Sequence, residues 1–309
     1  MSGVQQVTFM NQRSFGPPPI AVFAGGDIAS GTYRNIIDYI DISTTGNATD
    51  FGDLSGSRYE MGACGSSTRG VFAGGFDGSQ SQLGMMYITF VTTGNSTTFG
   101  NLTVRRNGLA GCGSSTRGVF GGGTDATLGT YLNTIDYITI ASTGNATDFG
   151  DLTKSMGGSA GFSSTTRGVF AGGFGPISNV INYITIASTG DATDFGDLSA
   201  NMSDMGGLSS STRGVFGGGF VGGIGARNVI EFITIASTGN ATDFGDLLSD
   251  LDNMASASSG TRGIFAGGRT VTNVIQYITI SSTGNSTDFG DLTVARRGVE
   301  GCSNSHGGL

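Results

Sequence analysis

The phrase STGNATDFGDL at residues 142–152 is written six times along this chain with almost no change. Its other copies are TTGNATDFGDL at 44–54, TTGNSTTFGNL at 92–102, STGDATDFGDL at 188–198, STGNATDFGDL at 237–247 and STGNSTDFGDL at 282–292. A second phrase keeps step with it. Paired glycines close an apolar run at 22–26, 71–75, 119–123, 169–173, 215–219 and 264–268, so successive copies lie 46 to 50 residues apart. A period of this length means one supersecondary unit, copied and stacked because a single copy cannot bury its own apolar face.

Between the two phrases lie NIIDYIDI, MMYITF, NTIDYITI, NVINYITI, NVIEFITI and NVIQYITI. These runs are rich in β-branched and aromatic residues and are too short for helices, so they read as strands. One unit therefore holds four strands: A over 108–115, B over 116–123, C over 133–140 and D over 145–152. The C–D connection, ASTGN, is a hairpin turn whose Gly and Asn accept positive φ. Four short strands per unit, with no helical periodicity, predict an all-β, six-bladed propeller over residues 20–309. Residues 1–19 match no repeat and read as a separate N-terminal arm. The last stretch, GCSNSHGGL at 301–309, aligns with GCGSSTRGV at 111–119, whereas blade 1 has no strand A of its own. The C-terminus is expected to supply that strand and close the ring, leaving no open sheet edge.

The double glycine after an apolar strand, the Tyr on strand C and the aromatic on strand D resemble the kelch motif across residues 20–309. The chain departs from it by placing Phe51, Phe99, Phe149, Phe195, Phe244 and Phe289 where kelch repeats usually carry Trp. The wording TRGVFGGG…NTIDYITIASTGNATDFGDLT is also similar to repeats in tail-fibre and other virion structural proteins of marine, cyanophage-like tailed phages. That resemblance implies a non-enzymatic virion component on a tail or capsid appendage, made in the host cytoplasm and requiring no cofactor. It also implies that the N-terminal arm docks onto other virion proteins.

Composition narrows the partners. Charged residues are 12 % and hydrophobic residues 37 %, the opposite of the balance that keeps chains disordered. A net charge of −8 repels phosphate backbones, so no nucleic acid is expected. The apolar runs are far shorter than a membrane span, so no membrane insertion is expected. No basic-then-apolar leader opens the sequence, which predicts no signal peptide.

The motifs that look chemical have structural readings. Asp-Phe-Gly holds magnesium in kinases, but here it lacks the lysine, glycine-rich loop and catalytic loop that reaction needs. Asp148 and Asp151 are three apart on a strand and so point to opposite faces. The turn residues Asn47, Asn95, Asn145, Asn240 and Asn285 sit in glycosylation sequons, yet the fourth copy has Asp191 there. Turn chemistry explains both residue types; glycosylation explains only one. Cys64, Cys112 and Cys302 share their slot with Phe162, Leu208 and Ala257, which predicts buried free thiols. His306, the only histidine, is too little for a triad or a histidine-based zinc site. Arg69, Arg117, Arg167, Arg213 and Arg262 open strand B and are expected to pair with the first Asp of strand D or to cap carbonyls.

Alternating strand direction puts the A–B and C–D turns on one face of the disc and the B–C and D–A loops on the other. The first set is nearly constant, and the second changes at every blade. Binding specificity is expected on the variable face, where Tyr33, Arg34, Arg58, Tyr59, Arg105, Arg106, Tyr131, Arg227, Arg296 and Arg297 are the contact candidates. The expected ligand is a virion partner, a host-surface receptor or a glycan, with the contact weighted toward blades 1–3 and 6. A lectin-type propeller and a cellular kelch adaptor are the alternatives, the first disfavoured because the chain has no Trp for sugars to stack on.

Overall fold

Each repeat folds as the sequence predicts, into an antiparallel sheet with strands A, B, C and D side by side, to which blade 5 adds the short strand Phe220–Val221. The computed structural model describes residues 18–29 and 31–309, so the arm expected over 1–19 lies outside the described residues except for Pro18 and Pro19. In blade 3 the strands are Ala110–Gly113, Arg117–Gly121, Thr134–Thr139 and Thr147–Asp151. Strand B is buried throughout after its first residue, while strand D shows alternation around one buried Phe. The sheets thus run from a dry interior to a wet rim.

Six such sheets form the ring, and blade 1 is composite. Its strand A is Glu300–Ser303, which pairs antiparallel with Ile20–Ala24 from Ala21↔Ser303 to Ala24↔Glu300. Asn304 locks the join: its Oδ1 accepts from Ile20 N at 2.8 Å, and its Nδ2 donates to Pro18 O at 3.1 Å. Pro19 O accepts from Ile42 N, so these two prolines belong to the disc.

The apolar clusters lie between blades. One joins Val22 and Phe51 of blade 1 with Phe72, Ile88 and Phe90 of blade 2, around Cys302. All three cysteines are free and buried in such seams. A Cβ on Gly118 would collide with the Cys64 sulfur, so that glycine is required by close approach of neighbouring blades.

The repeated phrase is itself a seam. The C–D hairpin of blade 2 reaches back to strand D of blade 1 (Thr49–Asp53), where Gly94 N donates to Phe51 O and Ser96 N to Asp53 O, each at 2.8 Å. Asn95 Oδ1 accepts from Asp53 N at 3.0 Å. The same three bonds recur at every seam, including Gly46, Asn47 and Ala48 onto Phe289 and Asp291, which closes the circle. Each copy is therefore a hairpin for the blade before it and an acceptor strand for the blade after it. Both halves must fit, which is why the wording barely drifts. Asp191 substitutes for Asn because only the acceptor oxygen is used, and it takes Asp151 N at 3.0 Å.

The strand-B arginines resolve to carbonyl capping. Arg117 lies 4.4 Å over the Tyr137 ring and its Nη1 donates to Ile186 O of the next blade at 2.7 Å. Arg69, Arg167, Arg213 and Arg262 do the same at Ile140, Ile235, Ile280 and Ile42. Blade 1 has Ile20 in this slot, leaving the seam between blades 1 and 2 without that clamp. Beneath each guanidinium the strand-C ring meets the strand-D Phe edge-on, as in Tyr137–Phe149 at 6.0 Å.

Two of the expected D–A loops are mostly strand. In blades 4 and 5 strand D extends over Thr193–Met202 and Thr242–Leu251, paired to lengthened C strands through Ser178↔Met202 and Arg227↔Leu251.

Candidate functional site: the loop face and the axial mouth

The B–C and D–A loops bring part of the predicted contact set together at the seam of blades 1 and 2. Tyr33 and Tyr59 stack with centroids 5.0 Å apart, and Phe76 meets both edge-on at 6.1 and 5.9 Å. All three rings come from different loops, so this cluster fixes loop positions as well as offering aromatic edges. Arg297 borders it and pairs with Asp27 at 2.9 Å. Arg34 is half-buried beside them, its amide donating to Gly26 O and its carbonyl accepting from Arg58 N. Arg105 is exposed and donates to Gln80 Oε1 at 3.2 Å. Tyr131, 43 % exposed on a blade 3 hairpin, and the half-buried Arg227 of blade 5 stand apart from this group.

Arg106 and Arg296 correct the expected contact set, because both are completely buried. The D–A loop folds inward at this position, beneath the carbonyls where strands B and C meet the loop, one of which in each blade already accepts from a backbone amide, as Thr134 O does from Gly122 N. Arg106 donates to Gly122 O at 3.0 Å, Thr134 O at 2.6 Å and the Asp136 carboxylate at 2.8 Å. Arg296 does the same for Gly25 O, Ile36 O and Asp38. Arg58 caps Gly74 O and Gly84 O but has Met86 where the others find an Asp, and it remains half-buried. In blades 4 to 6 the equivalent slots hold Met156, Met202 and Leu251, opposite Asn182, Glu231 and Gln276. The two fully buried cations each meet a buried Asp, as the cost of desolvating an unpaired charge requires, whereas Glu231 is buried opposite Met202 without a cation among the described residues.

Sequence reasoning missed the axis of the disc. Six D–A residues, Glu60, Gly108, Gly158, Asp204, Asn253 and Gly298, all have φ between +53° and +67°. Each amide donates to the carbonyl of the preceding member, Glu60 to Gly298 included, at 2.7 to 3.0 Å. The result is a closed circle of six backbone hydrogen bonds around the channel mouth. Part of the signal was available: five of the six aligned positions hold Gly, Asp or Asn, the types that tolerate left-handed backbone, and Glu60 is the exception.

Carboxyls gather inside this circle. Glu60 accepts from Asn107 Nδ2 at 2.8 Å and Asn253 Nδ2 at 3.4 Å. Asp204 lies 3.7 Å from Arg269, which is shared with Asp252 at 2.7 Å. Glu300 projects beneath them from strand A, where the other blades have Gly62, Ala110, Ala160, Gly206 and Ala255. Burial pushes the carboxyls of Asp204 and Glu300 up to about 8, the negative neighbours Glu60 and Asp252 adding to the effect on Asp204.

At the opposite end, His306 seals the channel. Ser163, Ser209, Ser258 and Ser303 each donate to a carbonyl of the preceding blade, but blades 2 and 3 carry Gly65 and Gly113 instead. His306 Nε2 fills the gap at Gly65 O, 2.9 Å away, while its Nδ1 accepts from Gly308 N. Nε2 therefore carries the proton and the ring is neutral, with burial lowering its pKa. Among the described residues no three or more His, Cys, Asp or Glu side chains are grouped to hold a metal ion. What the loop face offers is contact chemistry: half-buried aromatic rings with Tyr131 exposed, guanidinium groups and apolar hairpin tips. No protein-family model matches the sequence, and no curated protein matches it.

Proposed function

We propose that the protein is a kelch-like propeller of a tailed-phage virion, carried on a tail or capsid appendage, that binds a partner or host receptor through its loop face and catalyses no reaction. The observation that carries this reading is the division of labour between the two faces. On the constant face the repeated donors and acceptors are spent on neighbouring blades, at Asn95 and Arg117 for example. On the other face each blade ends in different loops on the same rigid support, the arrangement in which binding residues are usually found. The aromatic trio at blades 1 and 2, with Arg34, Arg105 and Arg297 around it, supplies the residue types that dominate interface energy. The arm, now residues 1–17 because Pro18 and Pro19 are bonded to the disc, docks onto other virion proteins.

The test is composition and adhesion together. Mass spectrometry of purified particles from the phage whose genome carries this gene is expected to find the protein in the virion. Particles bearing Tyr33→Ala/Tyr59→Ala are expected to adsorb to cells at least tenfold more slowly than particles bearing Arg117→Ala/Arg167→Ala, provided both variants fold. A protein absent from the particles overturns the virion reading, and loss of adsorption confined to the arginine pair overturns the choice of face.

A further inference from the structure

Three arginines in the loops of blades 1 and 2 stand without an acid. Arg58 occupies the slot that Arg106 and Arg296 fill in the neighbouring blades, but Met86, 2 % exposed, stands where they meet Asp136 and Asp38. Its Nη1 donates to Gly74 O and Gly84 O, and the side chain stays open to solvent where the other two are sealed. Arg34, whose carbonyl accepts from Arg58 N, has a buried Nε with no hydrogen-bond partner among the described residues. Arg105 is exposed and donates to Gln80 Oε1. None of the three has a carboxylate within 4.0 Å among the described residues, while Arg297 beside them is neutralised by Asp27.

Asp77 is the acid that acts on Arg58, yet its own loop uses it. Its Oδ1 accepts from Ser79 N and Gln80 N at 2.8 and 3.0 Å, and its Oδ2 from Gln82 Nε2 at 2.7 Å. Glu60 is turned to the axis, where Asn107 holds it. The loop-face acids Asp125, Asp204, Asp250 and Asp252 come from blades 3, 4 and 5. A chain of net charge −8 thus carries in these loops three unpaired cations to one acid, and such a patch selects an anion.

Around the arginines the surface is polar but uncharged. Ser57, Ser79 and Gln80 are exposed, and Leu83, 38 % exposed, is the one large apolar side chain these loops present to solvent among the described residues. Tyr33, Tyr59 and Phe76 are half-buried against one another and brace the loops, and the two phenol hydroxyls make no hydrogen bond among the described residues. The loop backbones are already bridged, Asp27 to Tyr33 and Phe76 to Ser81. A peptide is anchored chiefly by large side chains in desolvated pockets, which this surface does not supply. A sugar polymer is held by hydroxyl, amide and guanidinium groups, and its carboxylates match the guanidinium fork. Recognition by charge and hydroxyl does not need the Trp that this chain lacks. We propose that the patch binds an acidic polysaccharide whose uronic carboxylates sit on Arg34, Arg58 and Arg105, an assignment that rests on the loop-face reading above.

Biolayer interferometry with the purified full chain tests this, using polygalacturonate and hyaluronate as acidic glycans, dextran as a neutral one and poly-L-glutamate as an acidic peptide. The chain is expected to bind a uronate polymer and not dextran, more weakly as salt is raised. Arg34→Gln and Arg105→Gln are each expected to weaken binding about tenfold or more. Arg227→Gln, in the B–C loop of blade 5, is expected to leave it unchanged. No binding to either uronate polymer overturns the proposal, as does binding indifferent to the Arg34 and Arg105 substitutions. Stronger binding of poly-L-glutamate assigns the patch to an acidic peptide and overturns it too. If particles bearing Tyr33→Ala/Tyr59→Ala nonetheless adsorb poorly, the ligand class fails alone and the loop-face reading stands.

Discussion

Arg296 and Asp38 meet with no exposed surface on either side chain. Removing only the cation by Arg296→Met strands a buried carboxylate and is expected to cost about 3–5 kcal/mol in urea denaturation. The chain already contains the relieved version, because blade 4 carries Met156 opposite Asn182 in these slots. Arg296→Met/Asp38→Asn is therefore expected to recover most of the loss. A double variant no more stable than the single one would contradict the pairing. Glu300 makes a second residue-scale prediction. Its folded carboxyl holds its proton up to about 8, against an ordinary 4.5, so the folded chain binds a proton that the unfolded chain releases. Its contribution is complete below about 4 and is lost as pH rises through 8. Glu300→Gln removes this loss and is expected to be more stable than the parent at pH 8.5, with a flatter stability profile above pH 5. His306 acts in the other direction: its pKa is lowered from 6.5, so its contribution is complete above that value and falls as the solution becomes more acid.

At the scale of elements, the strands and turns were legible because their signals are local. Alternating β-branched runs, Thr-Gly-Asn turns and double glycines each act within a few residues. The seams were not, since Asn95 and its donor, the Asp53 amide, are separated by nearly a whole repeat. Local pattern explained why a turn wants Asn or Asp, but not that the same oxygen joins two blades. Arg106 and Arg296 misled for a related reason. A loop arginine reads as exposed unless the Asp it will meet, some thirty residues onward in blade 3 and on the far side of the chain for blade 1, is known in advance. The seam reading makes its own prediction. Asn95→Asp keeps the acceptor and is expected to change stability by less than about 0.5 kcal/mol, whereas Asn95→Ala leaves Asp53 N unpaired and is expected to cost about 1 kcal/mol. Thermal or chemical denaturation of the pair distinguishes them, and equal costs would argue that the turn alone matters.

For the whole molecule, the constant elements make a ring and the variable ones decorate it. Seam bonds, arginine caps and the axial circle of amides all run tangentially, so each blade is held by two neighbours and none is an end. That arrangement holds only if blade 1 receives its strand A from the far terminus. The decisive measurement is the melting temperature of the chain lacking residues 300–309, alone and with a synthetic peptide of those residues added back. The account predicts aggregation or a melting temperature lowered by about 10 °C or more, since removing Glu300–Ser303 opens a sheet edge and frees Pro18 and Ile20 from Asn304. The peptide is expected to restore part of the loss. A truncated chain that melts within a degree or two of the intact one would contradict the closed ring.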